Sequence, residues 1–494
     1  MLAKTPKITS KAGALSKQLL DKHENVILLL PKKGVDVKSL PNGAELARRM
    51  GREDYKLGAK TFVADLAGPA GTRLALAGIE SDISTFELLT LARRLVAAHA
   101  DQRPKAIVIV CHRLESRLAA RAAEAVLAAA LAADFELPTF KSKPNKRHPL
   151  AEITLYGVGK SLDTARTIAE AQGNNLARYL TALPPNELTP GQYRRRVEKL
   201  ARQQGWQVEF IGIDKLRRLG AGAFLAVAQG SPEPDAGILH LRYAPRRKTA
   251  KKSLALVGKG ICFDTGGTNL KPARYMHGMH EDMEGSAVAL GTLLALTALK
   301  ANFAVDCWLA LAQNHIGPKA YKQNDVVRAA NGKTIEVVHT DAEGRMVLAD
   351  TLYLASKQKP IVIVDYATLT GACVAALSTR MSGAFTNRAA WVANIIKAGE
   401  ESGERVWPFP IPDDFTKALK SNVADIKQCT LDSDADHILA ALFLKQFLEG
   451  DPAWVHVDLA AGNHKGGLAH IPSDVTGFGV RFTLDLLLNQ KLLS

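Results

Sequence analysis

Short apolar runs alternate with longer segments of helical period along the whole chain. In the N-terminal third, the pattern predicts strands at residues 26–30, 61–64, 73–77, 106–111 and 152–156 and helices at 44–50, 85–100 and 114–133. Such alternation is typical of an α/β layer structure. This third contains no glycine-rich phosphate-binding loop and no cluster of acids or histidines, so it gives no indication of function.

The C-terminal part repeats this alternation, and a long helical segment separates the two parts. Strands are predicted at residues 207–211, 238–243, 254–257, 304–310 and 361–366. The separating helix, at 162–183, ends at Pro184-Pro185, because proline cannot continue a helix. A chain of 494 residues is also too long for one ordinary core. We therefore expect a small N-terminal α/β domain (1–172) and a larger C-terminal α/β domain (173–494) with a central mixed sheet.

Composition narrows the class of protein. Hydrophobic residues make up 47% of the chain and charged residues 23%, and no apolar run is long enough to predict a membrane span. The N-terminal residues include Lys4, Lys7, Lys11 and Lys17 and lack the apolar core of a secretory signal. The five cysteines are scattered and form no C-x-x-C pair. We expect reduced, structural thiols and a cytoplasmic protein.

The chain is strongly basic, with a formal net charge of +15 at pH 7. Basic clusters lie at residues 141–147, 194–196 and 246–252. One interpretation is a solvated basic face, and the other is attraction to nucleic acid or another polyanion. No helix-turn-helix, zinc-finger or RNP signature sharpens the second interpretation, so nucleic acid stays an alternative partner.

The residues that could form a catalytic or metal-binding site are concentrated in two segments of the C-terminal part. The first, residues 254–282, is predicted to begin as a buried strand, to break at Gly258 and Gly260, and to run through a loop into a helix. It carries four charged candidates, Lys259, Asp264, Lys271 and Asp282. The second, residues 339–345, adds Asp341, Glu343 and Arg345. If this segment is extended, alternate residues share a face, so its three charged side chains point into one site.

Four carboxylates and an amine in these segments predict a site for two divalent cations. Two such cations about 3.5–4 Å apart need shared oxygen ligands to offset their repulsion. Lys259 would complete the ligand shell as a neutral amine, since nearby cations and burial both lower the pKa of a lysine. Lys271 and Arg345 are then suited to polarising a carbonyl or holding an anion. Each residue alone is more typical of a turn or a solvated loop, and only the combination indicates a site.

The motifs around these residues resemble those of the M17 leucyl aminopeptidase family, also called cytosol aminopeptidases. They are Val257-Gly258-Lys259-Gly260, Phe263-Asp264-Thr265-Gly266-Gly267, Leu270-Lys271-Pro272, Asp282-Met283, Thr340-Asp341-Ala342-Glu343-Gly344-Arg345 and Ala367-Thr368-Leu369-Thr370-Gly371-Ala372. Their order and spacing match from about Asn174 to the C-terminus. Before Asn174 only the overall layout is similar.

The resemblance implies a hydrolase that removes Leu and similar N-terminal residues from peptides with a free α-amino group. One metal would be held by Lys259, Asp264, Asp282 and Glu343, and the other by Asp264, Asp341 and Glu343, with Zn²⁺, Mn²⁺ or Mg²⁺ as the ions. Lys271 is implied to stabilise the tetrahedral intermediate, and Arg345 to hold a bicarbonate ion as general base. The implied substrate pocket comprises Met279, Thr368, Leu369 and Gly371. The implied assembly is a homohexamer.

Several positions depart from the family pattern without removing a ligand. His339 replaces the usual Asn, Glu284 replaces a small residue close to Asp282, and residues 430–437 replace a glycine-rich segment before a helix. These changes leave substrate preference and pH optimum open. Two alternatives to the peptidase remain: a nucleic-acid-binding protein on the same hexameric scaffold, and a catalytically silent structural hexamer. His456 alternates with apolar residues and is predicted to be a structural strand residue.

Overall fold

The computed structural model describes residues 4–58, 60–143, 148–159, 162–245, 253–432 and 434–493. The chain divides into two compact units, residues 2–171 with 465–474, and residues 172–464 with 475–494. We call them the N-terminal and C-terminal units. The sequence placed a boundary near residue 172, but it did not indicate that residues 465–474 would pack with the N-terminal unit. That each unit folds as an independent domain stays a prediction.

The N-terminal unit is built on a six-stranded sheet. Its strands are β1 (Lys7–Lys11), β2 (Asn25–Pro31), β3 (Phe62–Asp65), β4 (Arg73–Ile79), β5 (Ala106–Cys111) and β6 (Glu152–Tyr156), and its helices are α1 (Lys17–Lys22), α2 (Gly43–Arg52), α3 (Thr85–Ala97) and α4 (Ser116–Asp134). The strand order is β1-β6-β5-β2-β4-β3, and only β3 pairs antiparallel. The alanine-rich face of α4 is buried against the sheet as core.

The C-terminal unit begins within helix α5, which spans Thr164–Thr181. Helix α6 (Pro190–Gln204) is preceded by Thr189, whose side chain caps it by accepting a hydrogen bond from the N–H of Gln192. The remaining elements are β7 (Gln207–Gly212), α7 (Ile213–Arg218), α8 (Gly222–Ala228), β8 (Gly237–Tyr243), β9 (Ser253–Asp264), α9 (Ala273–Met276), α10 (Glu284–Ala298), β10 (Ala304–Asn314), β11 (Val326–Arg328), β12 (Thr334–Glu336), α11 (Glu343–Ser356), β13 (Val362–Ala367), α12 (Gly371–Leu377), β14 (Ser382–Thr386), α13 (Val392–Ser402), β15 (Val406–Pro408), β16 (Ile426–Lys427), α14 (Asp436–Lys445), β17 (Ala453–Asp458) and α15 (Val480–Leu488).

An eight-stranded mixed sheet forms the centre of this unit, as the sequence predicted. Its order is β15-β14-β17-β13-β9-β10-β8-β7. The four inner strands β17, β13, β9 and β10 are mutually parallel, whereas β14, β8 and β7 pair antiparallel toward the edges. Helices cover both faces of the inner strands, which explains their continuous apolar runs.

The predicted break of the first candidate segment at Gly258 and Gly260 is wrong, because β9 continues through both glycines to Asp264. The glycines serve helix packing instead. A Cβ on Gly258 would lie 2.4 Å from the Cα atom of Ser286 in α10. Glycine in a strand therefore marks a close approach of another backbone here, and not a turn.

The extended conformation considered for residues 339–345 is also wrong. The chain turns at residues 340–342, and α11 begins at Glu343. Glu343 and Arg345 therefore belong to the first turn of a helix, and strand alternation does not bring the acids of this segment together.

Candidate metal centre

The predicted ligands come from one strand and from the starts of the two helices that pack on it. Lys259 lies inside β9 and Asp264 ends it, whereas Asp282 and Glu343 stand at the starts of α10 and α11. Lys259 thus lies within the strand, at the place where the sequence predicted a break between Gly258 and Gly260. A Cβ on Gly344 would lie 2.6 Å from Lys259 Cε, so the glycine makes room for the lysine side chain.

Three of the acids form a tight cluster. One oxygen from each of Asp264, Asp341 and Glu343 can be chosen so that all three lie within 4.8 Å of one another. Lys271 Nζ lies 3.0 Å from Asp264 Oδ2 and 2.5 Å from Asp341 Oδ1. The predicted catalytic lysine therefore contacts two of the predicted ligands directly.

Lys259 connects the fourth acid to this cluster. Its Nζ lies 2.7 Å from Asp282 Oδ1 and 2.9 Å from Glu343 Oε1, and it donates to the carbonyl of Thr368 at 2.9 Å. The side chains of Lys259, Asp282 and Glu343 are all buried. The residues that the sequence assigned to the metals thus converge on one place.

The electrostatics of the cluster follow from burial and from crowded negative charge. Burial, together with Asp264 and Glu343, raises the pKa of Asp341 to about 7, and burial also raises the pKa of Asp282. For Lys259, burial lowers the pKa, but Asp282 and Glu343 outweigh it and the net shift is upward. Deprotonation of Lys259 as a ligand would therefore have to be driven by the cations themselves.

Two buried carboxylate oxygens fit the expected metal ions. Asp282 Oδ2 and Glu343 Oε2 accept no hydrogen bond from any residue that the structure describes. An unsatisfied buried charged oxygen is costly. A divalent cation would satisfy both atoms, and a carboxylate-rich donor set with one amine suits Zn²⁺, Mn²⁺ or Mg²⁺.

A cavity of about 540 Å³ opens beside the acid cluster. It is lined by His339 and by all four residues predicted for the substrate pocket, which are Met279, Thr368, Leu369 and Gly371. Asp458 holds the loop that forms one wall. Its carboxylate accepts hydrogen bonds from the N–H of Leu369 at 3.2 Å and from the Thr370 hydroxyl at 2.7 Å. Thr370 also caps α12, because its side chain accepts a hydrogen bond from the N–H of Cys373.

Sequence reasoning missed two buried polar residues that form hydrogen bonds to the motif segments. Asn314 at the end of β10 donates to Asp264 Oδ1 at 2.8 Å and to the carbonyl of Thr340 at 3.0 Å. Gln428 accepts from the N–H of Val338 at 2.6 Å. Both side chains are fully buried. A polar residue that ends an apolar run was the available signal for Asn314, and Gln428 gave none.

Arg345 is already paired with a carboxylate of the protein. Its Nη2 donates to both oxygens of Asp436, at 2.9 and 3.0 Å, and its Nη1 donates to the carbonyl of Gln428 at 3.1 Å. The bicarbonate ion expected at Arg345 does not fit this arrangement, because the side chain of Asp436 occupies the guanidinium edge. The sequence did not single out Asp436.

Of the three basic clusters, only residues 194–196 lie wholly within the described ranges, and the nucleic-acid alternative stays a prediction. Residues 246–252 and 144–147 lie outside the described residues. In the described cluster, Arg194 pairs with Glu198 at 2.7 Å and its guanidinium lies 3.9 Å from the ring centre of Phe210. None of the helices in the described ranges is long and apolar enough to cross a membrane.

Comparison with known proteins first establishes the class, which is a peptidase of the hydrolase type. The catalytic-domain model of the cytosol aminopeptidase family, Peptidase_M17, matches residues 175–484. The chain belongs to this family and is an aminopeptidase, as its motifs indicated.

Relatives and solved structures extend the likeness over most of the chain. The chain is 36% identical over 477 residues to a protein named "Probable cytosol aminopeptidase" from Polaromonas naphthalenivorans, covering 95% of this chain and 91% of the relative. It is 35% identical to the protein of the same name from Chlorobaculum tepidum, covering 85% and 87%.

Among solved structures, a point mutant of tomato leucine aminopeptidase superposes with a TM-score of 0.86 at 27% identity, covering 99% of this chain and 97% of that one. The bottromycin maturation enzyme BotP, in complex with Mn, gives 0.82 at 29% identity, covering 95% and 100%. The family and the manganese complex support divalent metal ions as cofactors.

Proposed function

We propose that the chain is a two-metal aminopeptidase that releases Leu and similar residues from the free N-terminus of peptides. The observation that carries this proposal is the convergence of four acids and two lysines on the wall of one cavity, with Asp282 Oδ2 and Glu343 Oε2 buried and free of hydrogen bonds from the described residues. A silent structural hexamer would not require buried oxygens of this kind, which are costly unless a cation binds them.

The ligands would be shared between the ions as the family resemblance implies. Lys259, Asp264, Asp282 and Glu343 would hold one ion, and Asp264, Asp341 and Glu343 the other. When bound, the ions lower the pKa of a water molecule and polarise the substrate carbonyl. Zn²⁺, Mn²⁺ and Mg²⁺ all suit the oxygen-rich donor set.

The chain's own residues would orient the peptide. Lys271 lines the cavity, its side chain is 15% exposed, and its ammonium group would stabilise negative charge that develops on the carbonyl oxygen. Met279 and Leu369 offer apolar surface for an aliphatic first side chain, and both line the cavity. By the family resemblance, the α-amino group of the substrate would be held at the ion that Lys259 binds, so a free N-terminus would be a requirement.

Assembly and location are further proposals that rest on the family resemblance. We expect a homohexamer, which size-exclusion chromatography with light scattering would test. We also expect a cytoplasmic protein, since the relatives named above carry the word cytosol in their names.

The test is metal-dependent hydrolysis of Leu-p-nitroanilide and of Leu-containing dipeptides. Chelation should abolish turnover, and Mn²⁺ or Zn²⁺ should restore it. An N-acetylated dipeptide is the control substrate, because its blocked amine should prevent cleavage. Asp264→Asn should be inactive, whereas Asp432→Asn, which alters an exposed acid at the same cavity, should keep activity. Fully metal-loaded wild-type protein without turnover would refute the proposal.

A further inference from the structure

Asp436 is bound to Arg345 at the wall of the cavity that contains the acid cluster. Both residues line that cavity, and the guanidinium holds both oxygens of the carboxylate. The Arg345 side chain is 2% exposed, whereas that of Asp436 keeps 25% of its accessible surface. A buried cation therefore fixes the carboxylate from one side, and the other side remains accessible.

A backbone carbonyl occupies the other terminal nitrogen of the Arg345 guanidinium. Nη1 donates to the carbonyl of Gln428, and the side chain of Gln428 is itself held by the N–H groups of Val338 and His339. Among the described residues, Arg345 Nε has no hydrogen-bond partner, and it is buried. Nη2 is thus the nitrogen of Arg345 that binds an anion, and that anion is the carboxylate of Asp436.

The position of Asp436 in the chain explains how it reaches Arg345. It is the first residue of α14, following Ala435 in the left-handed conformation (φ 54°). An acid in the first turn is favoured by the helix dipole. The segment 430–437 stands where the family pattern has a glycine-rich stretch, and a glycine at residue 436 would supply no carboxylate to Arg345.

We propose that Asp436 is the permanent anion of the Arg345 site, in place of an exchangeable anion such as bicarbonate. The inference rests on the proposed aminopeptidase function. Each Asp436 oxygen uses one lone pair on Nη2 and retains another. As the attacking water forms its bond to the peptide carbonyl carbon, it gives a proton to Asp436. The proton passes to the leaving amine as the C–N bond breaks, so Asp436 is regenerated and only water is consumed.

The experiment removes the carboxylate and supplies it again from solution. In carbonate-free buffer, Asp436→Gly should lower kcat for Leu-p-nitroanilide about 10²-fold with little change in KM. Bicarbonate or formate, compared with chloride at equal ionic strength, should restore much of the lost rate. Asp436→Asn should be equally slow but not rescued, because its amide still fills the site. The wild type and the Asp432→Asn control should keep their rate and ignore bicarbonate.

A binding measurement separates this inference from the proposed function. In metal-free protein, increasing concentrations of bicarbonate should raise the Tm of Asp436→Gly and leave the Tm of the wild type unchanged. Cooperative melting of Asp436→Asn would show that a protein substituted at residue 436 still folds. Three outcomes would overturn the inference. They are an equal Tm shift in wild type and Asp436→Gly, a wild type whose activity requires bicarbonate, and an Asp436→Gly variant with the wild-type rate. If no variant hydrolyses peptides and only Asp436→Gly binds bicarbonate, the anion site stands and the aminopeptidase proposal fails.

Discussion

The carboxyl group of Glu284 lies against Gly462, so closely that a Cβ atom on residue 462 would be 2.1 Å from Glu284 Oε2. Glu284 is 1% exposed, and its Oε1 accepts no hydrogen bond from the described residues. Burial, reinforced by Glu281, raises the pKa of this carboxyl group. An acid at a position where the family has a small residue is thus accommodated by the missing side chain at Gly462.

Gly462→Ala should destabilise the protein, because the added methyl group overlaps a buried carboxyl group. Overpacking of this kind costs about 1–3 kcal/mol, which thermal or urea unfolding would detect. Most of that loss should disappear in the double variant Glu284→Ala/Gly462→Ala, since the clashing atom is gone.

Gly51→Ala serves as the comparison, because no atom beyond the neighbouring residues and its own helix backbone lies within 4 Å of its added Cβ. A Gly462→Ala variant as stable as Gly51→Ala would contradict the close contact. So would a double variant that shows the full loss of Gly462→Ala.

Metal stoichiometry should distinguish an acid shared by both ions, such as Asp264, from an acid that holds only one of them. Asp264→Asn should lose both ions, because Asp264 belongs to both proposed ligand sets. Asp282→Asn and Asp341→Asn should each retain about one ion per chain. Elemental analysis after dialysis measures the content, with Asp432→Asn as the control that keeps two. Unchanged content in all three ligand variants would show that these acids do not hold the ions.

Asp458 should affect substrate binding more than metal binding. Its carboxylate ties down the N–H of Leu369 and the hydroxyl of Thr370, and burial raises its pKa. Asp458→Asn replaces an acceptor oxygen with an N–H₂ donor and loosens this wall of the pocket. KM should rise about tenfold, which corresponds to ~1.4 kcal/mol, with metal content intact. Thr370→Ala removes only one of these donors and should have a smaller effect; loss of metal from Asp458→Asn would contradict this role.

His456 should make stability depend on pH. It is fully buried, with Nδ1 2.6 Å from Asp365 Oδ1; burial lowers its pKa, but Asp365 outweighs burial and the net shift is upward. The stabilisation that protonated His456 gains from Asp365 is therefore complete below the pKa of histidine in the unfolded chain, about 6.5. It is lost as pH rises through the raised pKa of His456 in the folded protein. Over this range wild-type Tm should fall with pH.

Asp365→Asn removes the cause of the shift, so the Tm gap between wild type and this variant should narrow as the medium becomes alkaline. Asp451→Asn, which changes an exposed acid, should keep the wild-type slope. A gap that is constant with pH would mean that His456 does not bind an extra proton in the folded state.

Local sequence patterns predicted the elements well where burial is uniform. The strand at residues 106–111 lies where its apolar run placed it, because a strand covered on both faces is largely apolar. The prediction failed at Gly258 and Gly260, where glycine normally interrupts a strand. The reason is a tertiary contact with Ser286, which no local pattern displays.

The sequence by itself determined the α/β class, the family and the residues of the acid cluster, because residue type and spacing carry the chemistry of a ligand set. Only the tertiary structure decided that Glu343 and Arg345 reach the site from a helix, that Asn314 joins the two motif segments, that Gln428 supports the second segment, and that Asp436 binds Arg345. These contacts join residues far apart in the chain, as with Arg345 and Asp436, and depend on how helices pack on the central sheet.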